Sequence, residues 1–168
     1  MNTANTANDP SPRPGAGVHR GAGSAGGPRH TVPLAREEAL RLLGSVSLGR
    51  IVFSQDALPA IRPVNHLVDR GEVVIRTHGG AAIAAVTREA GTEGVVVAYE
   101  ADAIDPVTHL GWSVVVTGYC RLVTDPRDLA HYREVLHPWT DGQREHALRV
   151  RPVLVTGIRL TAALPAGR

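Results

Sequence analysis

The sequence predicts a mainly β, α+β domain: a small barrel of about six mostly antiparallel strands with three short helices. Three observations predict it. Beyond residue 45 apolar and polar residues largely alternate, which is the period of a half-buried strand. The strand segments follow one another without crossover helices between them, which excludes a doubly wound parallel sheet. The length, 168 residues, suits one domain that buries about two thirds of its unfolded surface and needs neither disulfide nor metal to fold.

The elements follow in order. Structure is expected to begin near Pro33, a residue suited to a first helical turn, with Glu37 and Glu38 where the helix dipole favours acids. Ala35, Ala39, Leu42 and Leu43 mark one helical face, and Gly44 stands at the C-terminal cap position. Val46 to Phe53 reads as a strand, Ser54 to Pro59 as a connection and Ala60 to Val68 as a second strand. Asp69-Arg70-Gly71 reads as a tight turn into a third strand, Glu72 to Thr77. His78-Gly79-Gly80 breaks the pattern, and the alanine-rich Ala81 to Arg88 is helical until Gly91 and Gly94 end it. Val95 to Asp102 is the next strand. Gly111 to Val123 is a long β-branched strand in which Gly118 marks a bulge or a close backbone approach. Asp125 caps a helix with Pro126 in its first turn, running to about Leu136. The last strand runs from Ala147 to about Thr161.

Composition excludes several chemistries. All 18 basic side chains are arginine, so no lysine is present to form a Schiff base, hold a P-loop phosphate or act as a general base. The single cysteine, Cys120, rules out an internal disulfide framework and fits a reducing cytosol. Residues 1–30 carry a net charge of +2, three arginines against Asp9, while the remaining residues balance at zero, 15 arginines against 15 acids. A neutral body without an arginine cluster is not the footprint of a nucleic-acid binder. The 1–30 segment lacks leucine, isoleucine and aromatic residues and is read as a disordered tail, leaving 31–168 as one domain. It has no apolar core for a secretory signal and no paired arginines, and no later apolar run reaches membrane-spanning length. The expectation is a cytoplasmic protein without membrane or nucleic-acid partners.

Two segments suggest a ligand. Val73 to Thr77 followed by the glycines, Gly80 among them, and a helix start sets the Arg76 guanidinium, the Thr77 hydroxyl and free backbone N–H groups within reach of a phosphate; an ordinary strand-to-helix connection is the alternative. Arg62-Pro63-Val64-Asn65 puts a proline inside a strand, which implies an edge or a broken ladder, and Asn65 can both donate and accept against a flat heterocycle. Taken alone, that stretch reads first as an edge strand with a solvent-facing asparagine. Trp112 and Trp139 supply large flat faces for core, interface or cofactor wall. Glu100 and Asp102 share one side of their strand, roughly 7 Å apart, and suit pairing with arginine better than glycoside chemistry. The histidines lack metal-binding spacing, Cys120 reads as packing, and no side chain stands out as catalytic.

Taken together and in order, Gly49-Arg50-Ile51, Arg62-Pro63-Val64-Asn65, Ile75-Arg76-Thr77 with its glycines, Glu100-Ala101-Asp102, Gly111-Trp112-Ser113-Val114 with Gly118, Pro138-Trp139, Arg151-Pro152 and Thr156-Gly157-Ile158-Arg159 resemble the pyridoxamine 5′-phosphate oxidase-like family of flavin-binding split β-barrels, in particular its actinobacterial branch. The resemblance spans about residues 34–160. It implies a homodimeric oxidoreductase with FMN, or in some branches the deazaflavin F420, at the subunit interface and a small-molecule substrate. A non-catalytic dimer holding flavin or haem in the same groove is the alternative. On this resemblance Arg62, Pro63, Val64 and Asn65 hold the isoalloxazine ring. Arg76, Thr77, Gly80 and the position of Ala82 receive the phosphate, Ser113 lies near the ring, and Trp112 and Trp139 wall the site or the dimer contact. Two departures stand out. Ala82 occupies the place of a usual phosphate-binding lysine, and the chain continues Arg159-Leu160-Thr161-Ala162-Ala163 where vitamin B6 oxidases carry an Arg-Leu-His-Asp-Arg-like segment, which argues against vitamin B6 oxidation.

Overall fold

The computed structural model describes residues 29–78, 80–137 and 145–162. Seven strands form one antiparallel sheet: β1 (Arg29–Pro33), β2 (Leu48–Gln55), β3 (Leu58–Asp69), β4 (Glu72–Thr77), β5 (Val95–Ile104), β6 (Gly111–Leu122) and β7 (His146–Ala162). Three helices join them: α1 (Arg36–Leu43), α2 (Ala82–Glu89) and α3 (Pro126–Val135). The sheet order is β1-β7-β4-β3-β2-β5-β6, and β6 pairs again with β7, which closes a ring. The expected α+β barrel is therefore present, with one more strand than the sequence pattern indicates.

The alternation rule sets the interior. Ile51 and Phe53 of β2, Val73 and Ile75 of β4, Val97, Tyr99 and Ala101 of β5, Trp112, Val114 and Val116 of β6, and Leu148 and Val150 of β7 meet in one core. Helix α1 adds Ala39, Leu42 and Leu43, and α2 adds Ile83. Helix α3 lies outside the barrel, where Tyr132 covers Val74 and Ala147 in a second, smaller cluster. Cys120 is fully buried in the main core, as its packing role requires, and burial pushes its thiol pKa up to about 12.

The ring is split. The outer half of β7 pairs with β1 and its inner half with β4. Likewise β3 pairs with β4 only from His66 to Asp69 and with β2 only from Leu48↔Asn65 outward. Helix α1 packs against β3, β6 and β7, where these edges diverge. Its placement rests on Gly157, where a Cβ would come within 2.9 Å of Leu34, 3.2 Å of Val114 and 3.3 Å of Ala39.

Several boundaries differ from the sequence expectation. Arg29 and His30, read as tail, belong to β1, and Pro33 closes this strand instead of opening the helix, which begins at Arg36. Residues 1–28 lie outside the described residues. The six-residue connection read from Ser54 to Pro59 shrinks to Asp56 and Ala57, both with left-handed φ (50° and 62°). That is the two-residue hairpin turn matching strand twist, hidden because neither residue is glycine or asparagine. The Asp69-Arg70-Gly71 turn, the Gly44 cap and the Asp125 cap are as expected, the last with Asp125 Oδ1 accepting from Arg127 N at 2.7 Å. The bulge at Gly118 is also present: the β6–β7 register slips between Thr117 and Gly118.

Candidate functional site

The open edge of β3 is the first part of the site. His66 N–H donates to the Ser47 carbonyl at 3.0 Å. Antiparallel ladders repeat this orientation every second residue, so Val64 and Arg62 also turn their backbone groups to β2, and Pro63 and Asn65 turn theirs away. Pro63 thus stands where its missing N–H costs the ladder nothing, as a strand proline should. From Leu58 to Asn65 the far edge has no strand partner among the described residues. Arg62 covers part of it by donating to the Ile61 carbonyl at 2.8 Å. The Asn65 amide donates to Ser47 O at 3.3 Å, and Asn65 also takes part in a further interaction.

The same alternation separates residues that the sequence places together. Pro63 and Asn65 face outward, whereas Arg62 and Val64 face the barrel side, Val64 packing on the core. Through the registers Pro63↔Arg50, Arg50↔Glu100, Glu100↔Val115 and Val115↔Thr156, one outward row crosses five strands. Two residues along, Ser113 stands beside Asp102 on that face. Ser113, Pro63 and Asn65 therefore share one surface, although they are far apart in sequence. Between them Arg50 Nη1 bridges Glu100 at 3.1 Å and Asp102 at 3.4 Å. Burial, then the Asp102 carboxyl beside it, raises the Glu100 pKa against the opposing pull of Arg50.

Arg76 and Thr77, adjacent on a strand, point to opposite faces. Thr77 is buried, 5% exposed, whereas Arg76 reaches the end of α3 and donates to the Leu136 carbonyl at 3.0 Å. The structure does not bring their side chains to one point. Beyond them α2 begins at Ala82 with Ala81 as an N-cap that offers no side-chain hydrogen bond, and its first turn holds no acid. Gly80 is exposed beside this helix start, and Gly79 lies outside the described residues. Trp112 is 7% exposed and belongs to the main core, not to an open wall. Trp139 lies outside the described residues. Among the described residues no group of three or more His, Cys, Asp or Glu gathers as a metal site.

Sequence reasoning missed the neighbourhood of His66. A cleft of about 630 Å³ is lined by Ser45, Ser47, Arg50, His66 and Asp102 among others. At its floor His66, 2% exposed, shares Nε2 with the Leu43 carbonyl at 2.8 Å and packs edge-on against the Tyr99 ring at 5.0 Å. Burial lowers the His66 pKa, opposed by that hydrogen bond, and raises that of Tyr99. Among the described residues, His66 Nδ1 and Tyr99 Oη are both buried without a hydrogen-bond partner. Gly49 makes room for Tyr99: a Cβ there would fall on the hydroxyl, and within 2.6 Å of Cζ. The signal was Gly49-Arg50 beside Glu100 and Asp102, but it requires the β2–β5 pairing, which joins residues about fifty positions apart.

A closed antiparallel barrel split at one side, with an open β3 edge over an outward polar row, defines the class. The family model for pyridoxamine 5′-phosphate oxidase matches residues 35–159. The chain therefore belongs to the pyridoxamine 5′-phosphate oxidase family. An uncharacterised protein of Mycobacterium tuberculosis is 51% identical over 134 residues, covering 80% of this chain and 88% of that one. A structure from Corynebacterium glutamicum named for pyridoxamine 5′-phosphate oxidase is 31% identical, with a TM-score of 0.65 over 80% of this chain and 96% of its own. The FAD-binding protein of Mycobacterium smegmatis is 34% identical, with a TM-score of 0.60 over 77% of this chain and 98% of its own.

Proposed function

We propose that the chain is a flavin-dependent oxidoreductase working as a cytoplasmic homodimer, with FMN held between the β3 edge of one subunit and the outward face of the other. The observation that carries this reading is the Leu58–Val64 edge, which no strand covers among the described residues, so that its backbone groups, beside the outward face that carries Pro63, Asn65 and Ser113, suit the polar rim of a flat ring. The residues fit the rest of the cofactor in part. Helix α2 offers first-turn amides without a competing cap or acid, which favours a phosphate. Arg76 contributes by holding α3, and Ala82 supplies no charge. A bound flavin would supply the hydride or electron chemistry. The chain's own part is to orient the ring through Pro63 and Asn65, to exclude water with the second subunit, and to set Ser113 and the Arg50–Glu100–Asp102 cluster beside it.

The similarity to a FAD-binding protein supports a flavin dinucleotide as the second reading. F420 and haem are the remaining alternatives, and the substrate is a small molecule of unassigned class. The visible spectrum of the purified protein separates a flavin from F420 and haem: two bands for oxidised flavin, one for the deazaflavin, a Soret band for haem. A colourless protein that takes up neither FMN nor FAD overturns the proposal. The substitution Ala82→Lys restores a cation at the start of α2 and is expected to tighten FMN binding about tenfold, read by fluorescence titration. Unchanged affinity would remove the phosphate from α2.

A further inference from the structure

On the outer face where β6 and β7 meet, after the bulge at Gly118, Tyr119 stands opposite Arg151 and Arg121 opposite Arg149. Directly opposed residues share a face, so one tyrosine and three arginines occupy a single patch. They line a cleft of about 340 Å³ that runs to the start of α3. Like charges in opposed positions destabilise a sheet, so this patch needs compensation. Among the described residues only Arg149 has it. Arg149 binds Glu72 at 3.2 Å and Asp128 at 2.9 Å, and donates to Tyr132 Oη at 2.6 Å. Those bonds also occupy the acids of the cleft, since Asp125 is engaged as the α3 cap. Among the described residues the Arg121 side chain donates to the Glu93 carbonyl alone, at 3.2 and 3.4 Å, and the Arg151 side chain makes no hydrogen bond or ion pair. Two guanidinium groups without a carboxylate partner therefore flank a tyrosine that is 40% exposed.

We propose that this cleft binds a nucleoside phosphate, with its base against the Tyr119 ring and its phosphate between Arg121 and Arg151. Guanidinium forks match phosphate oxygens, and an exposed aromatic face is a sequence-tolerant platform for a base. Diagonal positions on neighbouring strands lie roughly 7–8 Å apart, a span that two arginine side chains close around one phosphate. The geometry of Gly118 serves the same end. A Cβ there would fall on the Arg151 carbonyl oxygen, so the glycine lets β7 approach and sets Arg151 opposite Tyr119. The site is distinct from the β3 edge and stands whether or not a flavin binds there. Two sources fit its chemistry: the adenylate half of a flavin dinucleotide, or a nicotinamide dinucleotide delivering electrons.

The test is calorimetric titration of the purified protein with AMP. Saturable binding is expected, weakened about tenfold or more in the Arg121→Ala/Arg151→Ala double variant and in Tyr119→Leu, with FMN affinity unchanged in both. Relief of arginine repulsion is expected to leave the double variant at least as heat-stable as the parent. Displacement of AMP by FAD identifies the flavin source; displacement by NADPH but not FAD identifies the nicotinamide source. No binding at about 5 mM AMP, or equal binding by parent and variants, overturns the proposal. Loss of FMN binding with AMP binding intact would count against the flavin assignment alone.

Discussion

At the scale of single residues, close approach decides more than charge. Gly49 lets the Tyr99 ring lie across β2, with the Glu100 carbonyl 2.7 Å from where a Cβ would stand. Gly49→Ala must push back either a fully buried ring or backbone, and is expected to lower stability by about 2 kcal/mol in urea denaturation. His66 gives a pH signature. Its pKa is lowered in the fold, so the unfolded chain takes up its proton first as pH falls. The stabilisation is complete above the ordinary value of 6.5 and declines as pH drops through and below it. Melting temperatures from about pH 7.5 to 5 are expected to fall for the parent and to fall less steeply for His66→Gln, which cannot titrate. Residue-level legibility was uneven. Pro63 announced its edge, because a missing N–H has few places in a sheet. Arg76 and Thr77 looked like one constellation only while the alternation of the strand was set aside.

Elements with internal periodicity were legible, and those defined by neighbours were not. Gly44, Asp125 and Pro126 gave helix ends because caps are local chemistry. Strand β1 was missed because most of its residues are exposed and no alternation survives; it is a strand only because β7 is there to pair with it. Helix α3 shows how an element is held from outside. Arg149 links it to Glu72 of β4, and Tyr132 donates to Asp69 at 2.7 Å. Arg76 reaches its C-terminal carbonyls. Replacing Arg149 with Met leaves Glu72 and Asp128 without their cation, and is expected to cost about 1–3 kcal/mol and to speed amide exchange in α3 before the barrel strands. Equal protection of α3 and the barrel in the variant would show that the helix does not depend on this network.

For the whole molecule, the outer surface carries a largely apolar row whose two ends a monomer leaves wet. Ile61, Val52, Ala98, Thr117 and Leu154 stand in register across five strands, with Ile61 and Leu154 each 56% exposed. This is the face on which a second copy is expected to seat. The double substitution Ile61→Asp/Leu154→Asp is expected to convert the protein to a monomer in sedimentation velocity and to abolish flavin retention together with it. A dimer that survives both aspartates would move the interface elsewhere. The fold class was legible because it depends on strand count and period, whereas this face and the arginine patch depend on pairings between distant segments.

The role of β7 reaches beyond the finished structure. It follows the other six described strands in the chain, and it pairs with β1, β4 and β6. While the ribosome still holds residues 146–162, β1 has no strand to join and the ring cannot close. Closure of the barrel is therefore dominated by long-range pairing and correspondingly slow. During that interval the exposed edges of β4 and β6 are the surfaces most open to capture by another chain.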